Sequence, residues 1–90
     1  MKLVTFSTPE GKARGLQFMR SIPEGTVYRF SDIAPGTVFP ARNVPEAFDI
    51  FFMSAQNEIL KRATMVPEHS ECEAPPGTSY VLEAKVGTIV

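Results

Sequence analysis

Along most of this chain hydrophobic and polar positions alternate over short runs, and prolines and glycines cut those runs into pieces too short for long helices. The pattern predicts a mainly β protein. Lys2 to Phe6 reads as an opening strand, with Leu3 and Thr5 on one side and Val4 and Phe6 on the other. Ser7-Thr8-Pro9-Glu10 then forms a helix start: a hydroxyl to cap, a proline tolerated in the first turn, and a carboxylate at the positive end of the dipole. The spacing predicts a helix from about Thr8 to Met19, laying Leu16, Phe18 and Met19 on the sheet and turning Lys12 and Gln17 outward. Gly11 and Gly15 each weaken such a helix by roughly 1 kcal/mol relative to alanine, so it depends on tertiary support.

Further on, Pro23-Glu24-Gly25 is a turn and Thr26 to Phe30 a strand rich in β-branched and aromatic residues. A turn at Ala34-Pro35-Gly36 releases Thr37-Val38-Phe39, which Pro40 confines to a sheet edge. Ala47 to Met53 places Phe48, Ile50 and Phe52 on one face and Asp49, Phe51 and Met53 on the other. With both faces largely apolar, it is expected to be the most interior strand. Ser54 to Asn57 turns the chain into Glu58 to Val66, a β-hairpin, and Ser79 to Val86 is the closing strand. Between them, Pro67 to Thr78 carries three glutamates, two adjacent prolines and a glycine, the composition of a surface loop.

Ninety residues suit one compact domain spanning 1–90. With 9 basic and 10 acidic side chains the net charge is -1, which argues against nucleic-acid binding through bulk positive charge; any anion site has to be local. Residues 1–45 carry six basic and three acidic side chains, and 46–90 carry three and seven, so a local cationic pocket would be built from the first half. The single cysteine allows no internal disulfide, leaving packing or self-association into a homo-oligomer to hold a small core. No run approaches the roughly 20 apolar residues of a membrane span. The first residues lack the greasy core of a secretory signal, and the expected location is cytoplasmic.

Several short motifs occur in a telling order: Thr8-Pro9-Glu10, Ala13-Arg14-Gly15-Leu16, Pro23-Glu24-Gly25, Phe30, Arg42-Asn43, Phe48-Asp49-Ile50, Phe52 and Tyr80-Val81-Leu82-Glu83. In order and spacing, from about Leu3 to Gly87, they resemble domain-of-unknown-function family 192, an uncharacterised family of bacteria, archaea and their viruses. The resemblance implies a small jelly-roll-like β-sandwich with one N-terminal α-helix packed against it, and it implies no activity. Two departures stand out. Pro40-Ala41 replaces the Trp-Met usual before the basic-Asn pair, and Ala47-Phe48-Asp49 replaces Pro-Leu-Asp, so an aromatic wall of any family pocket is missing or rebuilt. Many members also continue past the equivalent of Val90, and many are exported.

The residues that invite a chemical reading are Arg14, Arg42, Asn43 and Asp49. Arg42 and Asn43 sit between Pro40 and Pro45 on a stiff connection, and Asp49 enters an apolar strand where a carboxylate needs a guanidinium or several amide donors. Arg14 and Asp49 are expected either to form a buried architectural pair, with Asn43 capping a turn, or to belong to a concave site whose two arginines hold an anion bidentately. Tyr28 and Phe39 would stack on a ligand ring if exposed; otherwise they join the phenylalanines of the core. His69 and Cys72, among Glu68, Glu71 and Glu73, supply only half a zinc site, and no metal or other cofactor is expected. Neither glycine-rich phosphate motif occurs.

The reading that follows is a non-catalytic small-ligand-binding module for an anionic molecule such as a nucleotide, held by Arg14, Arg42 and Asn43. The alternative is a protein-interaction module using the edge strand near Thr37 to Phe39 or the acidic loop Glu68 to Glu73. Hydrolysis through Asp49 or Glu83 is a third reading, without an activating neighbour in sequence.

Overall fold

The computed structural model describes residues 1–89. Its elements in chain order are β1 (Lys2–Phe6), α1 (Pro9–Arg14), β2 (Thr26–Phe30), β3 (Val38–Pro40), β4 (Phe48–Ser54), β5 (Ile59–Met65), β6 (Glu71–Glu73) and β7 (Thr78–Lys85). The fold is mainly β, as the alternation predicts, with one short N-terminal helix and two sheets. A five-stranded sheet runs β1-β2-β7-β4-β5, and β3 pairs with β6 in a two-stranded sheet. β1 and β2 are parallel, joined through α1, and every other pairing is antiparallel.

The helix is shorter than its apolar spacing predicts. Thr8 caps it by accepting the Gly11 N–H at 3.0 Å, but it stops at Arg14 because Gly15 takes φ 51 and ψ -125, a conformation closed to residues with a Cβ. Gly15 also lies against Phe30, where an added Cβ would meet ring carbons at 3.1 Å. Leu16 is therefore buried from a turn, and Phe18, expected on the sheet, stands 69% exposed. Lys12 does not look freely outward either: its ammonium donates to the carbonyls of Ser31 at 3.0 Å and Asp32 at 3.3 Å.

Period-2 geometry sorts the large sheet into two faces. One lateral row, Val4–Tyr28–Glu83–Ile50–Ala63, lies on the inner face, and the neighbouring row, Leu3–Val27–Ala84–Asp49–Thr64, on the outer. Every residue of β4 is buried, as its two apolar faces predict, although β7 is the middle strand. Phe39 of β3 bridges the sheets, making edge contacts to Phe30 at 5.8 Å and to Phe52 at 5.7 Å. The predicted loop Pro67 to Thr78 contains β6, in which Cys72 faces the core and Glu71 and Glu73 face solvent. Among the described residues no helix is long and apolar enough to cross a membrane.

Candidate functional site

Between the turn after α1, β3 and the inner face of the large sheet lies a cavity of about 190 Å³. Leu16, Phe30, Ile33, Phe39, Val44 and Phe48 supply its apolar walls. Lys12 and Arg14 line it from the helix, and Glu83 lines it from the middle strand. Arg14 is exposed, and the ion pairs among described residues are those of Lys85 with Glu24 and with Glu46, so the Arg14 guanidinium is in neither. Lys85 and the backbone N–H of Ile22 share Glu46, whose carboxyl is held below its ordinary range first by the Ile22 hydrogen bond and then by the lysine.

Glu83 is only 4% exposed and forms no ion pair or side-chain hydrogen bond with another described residue. No described side-chain polar atom is both fully buried and unpartnered, so the Glu83 oxygens must touch the cavity space. Burial pushes this carboxyl up to about 8, because the charged form would lose its water with no partner to replace it. Its neighbours in the row are Tyr28 and Ile50, and burial likewise raises the Tyr28 phenol. Both stay neutral at pH 7. From sequence alone Glu83 reads only as a hydrolytic candidate; the signal for its buried place is its parity with Val81 on the core-facing side of a closing strand.

The other expected site residues disperse. Arg42 lines a separate hollow of about 130 Å³ with Glu68, His69, Ser70 and Glu71. Backbone bonds from Ala41 N–H to the Ser70 carbonyl and from Glu68 N–H to the Ala41 carbonyl draw residue 42 to that loop, so the two guanidiniums do not share a cavity. Asn43 takes φ 59 and donates its backbone N–H to Glu68 Oε1 at 2.7 Å. The Arg14–Asp49 pair does not form. Asp49 lies on the outer face, where it accepts from the Thr64 hydroxyl at 2.7 Å and the Gly87 N–H at 3.0 Å. These two donors neutralise the burial cost that called for a guanidinium. Tyr28 and Phe39 are buried rather than exposed for stacking: Tyr28 stacks on Phe6 at 5.7 Å, and Phe39 walls the cavity.

Thr37 to Phe39 and the 68–73 loop, the two segments weighed for a protein partner, meet through β3 and β6, which pair with each other. His69 is exposed while Cys72 is buried, and among the described residues no group of three or more acidic, histidine or cysteine side chains is placed to hold a metal. On the outer face a broader concavity of about 500 Å³ lies among Leu3, Val27, Arg29, Tyr80, Leu82 and Ile89; it is open, with Leu3 62% exposed.

A family model, DUF192, described as Uncharacterized ACR, matches residues 1–90. No curated protein matches significantly. A solved protein of unknown function from Novosphingobium aromaticivorans DSM 12444 is similar at a TM-score of 0.82 and 25% identity, covering 94% of this chain and 63% of that one. A "putative transcription regulator" from Sinorhizobium meliloti 1021 is similar at a TM-score of 0.84 and 19% identity, covering 97% of this chain and 70% of its own. The chain thus spans less than two thirds of the first of these proteins, and the likeness to the second is one of fold alone.

Proposed function

The chain belongs to the DUF192 family, and within that family's fold we propose that it is a binding module for a small organic anion, taken up in the cavity beside Arg14. The observation that carries this reading is an apolar cavity with an exposed guanidinium on its lining that forms no ion pair with another described residue. Apolar walls remove the body of a ligand from water, while the guanidinium offers a planar fork to a carboxylate or phosphate. Lys12 adds positive charge on the same side, although its ammonium is already anchored to two carbonyls.

Size narrows the class. A cavity of about 190 Å³ is close to the roughly 150 Å³ that admits benzene in an engineered protein, so it suits one ring or a short branched chain. A nucleotide would place no more than its base or its phosphate inside. Binding is favoured over turnover because, among the described residues, Glu83 has no side-chain partner to orient it or move its proton.

Calorimetry with benzoate tests the reading. Arg14→Ala is expected to weaken binding by roughly 5- to 20-fold, the loss of a partly solvated charged hydrogen bond, while Arg42→Ala leaves it unchanged. Both side chains are exposed, so neither change endangers folding. Absence of benzoate binding, or equal loss in the two variants, overturns the proposal.

A further inference from the structure

We propose that Glu83 is the hydrogen-bond donor in this cavity, and that the ligand therefore carries a neutral oxygen acceptor, a ketone or amide carbonyl, besides its anionic group. The inference rests on the binding reading above and names the ligand's second recognition element.

The cavity is lined by two unlike polar groups: Arg14, which is exposed, and Glu83, which is buried on the middle strand of the sheet, with Phe30, Phe39 and Phe48 on the apolar walls. A buried carboxyl needs a reason to be there, and packing does not supply one: an apolar residue on that strand would fill the space without a desolvation cost. No ion pair among the described residues explains it.

The charged and titratable groups around it leave the acid neutral. From β2 comes the Tyr28 phenol, whose proton affinity burial raises further, while β6 contributes the Cys72 thiol to the same core. β4 contributes only Phe48, Ile50 and Phe52 on this face. Lys12 is tied to the Ser31 and Asp32 carbonyls, and Lys85, on the same strand, to Glu24 and Glu46. Arg14 is exposed to solvent. A protonated carboxyl in an apolar recess has one O–H to give, and a carbonyl oxygen is its natural partner. Its raised proton affinity, to about 8, agrees with this role.

The test compares 4-acetylbenzoate with its isostere 4-isopropylbenzoate, which has the same anionic end and no acceptor at the other. At about pH 6.5 the wild-type protein is expected to prefer the acetyl compound by about tenfold, and at about pH 9.5, with Glu83 ionised, the preference should vanish or reverse. Glu83→Gln, whose amide N–H still donates, should keep the preference at both pH values; Glu83→Leu should lose it while still binding the isopropyl compound. Equal affinity of the wild-type protein for both probes at the lower pH overturns the role of Glu83 and leaves the binding reading standing. Failure to bind either probe overturns both.

Discussion

Glu83 and Tyr28 stand directly opposite each other across β7 and β2 on the inner face of the large sheet, two groups whose proton affinity burial raises. Because Glu83 binds its proton more tightly when folded, its contribution is fully present below the ordinary glutamate range and is lost as pH rises toward about 8. Urea unfolding of the wild-type protein and Glu83→Gln checks this. Relative to the variant, the wild type should lose roughly 3 to 5 kcal/mol as pH rises from about 4.5 through 8, levelling off by about pH 9.

Gly15 both ends α1 and touches Phe30. Gly15→Ala must bear a conformation closed to alanine and a Cβ at 3.1 Å from the ring, so it should destabilise by about 2 to 4 kcal/mol in the same urea assay. Gly25→Ala, with open space around its Cβ position, shares only the positive φ and should cost less.

Asp49 anchors the chain after β7 rather than a ligand. Asp49→Ala removes the acceptor for Thr64 and Gly87, with an expected loss of about 1 to 3 kcal/mol and faster amide exchange at Gly87. Benzoate affinity should not change, since Asp49 and the cavity lie on opposite faces of the sheet.

Phe18 is an exposed aromatic residue at φ 65, and its N–H donates to the carbonyl of Asn43, itself at φ 59, at 2.8 Å. Left-handed backbone costs a non-glycine residue about 1 kcal/mol or more, part of which Phe18→Gly returns as chain entropy. The variant should be more stable than the wild type by roughly 0.5 kcal/mol, measured by thermal unfolding.

Much of this architecture is legible in the chain because strand parity and turn residues act locally. The strands at Lys2–Phe6 and Thr26–Phe30 fall where alternation puts them, and the hairpin follows from the turn at Ser54 to Asn57. The helix end was hidden because Leu16 and Met19 continue an apolar spacing past Gly15, and only the backbone angle there breaks it. β6 was hidden because Glu71 and Glu73 make it look like a solvated loop, although they flank a buried Cys72 in strand parity. The site was less legible. Charge complementarity alone suggested Arg14 with Asp49, yet the parity that groups Asp49 with Phe51 already sets it on the outer face. The separation of Arg42 from Arg14 depends on pairing between the 41–43 and 66–70 segments, which no local pattern encodes.

The central claim, that the cavity beside Arg14 is the ligand site, is tested most directly by following backbone amide NMR signals while benzoate is added. The account predicts shifts concentrated at Leu16, Phe39, Val44 and Glu83 in the wild-type protein and greatly reduced in Arg14→Ala. Shifts gathered instead around Leu3, Val27, Leu82 and Ile89 on the outer face, or none at all, would contradict it.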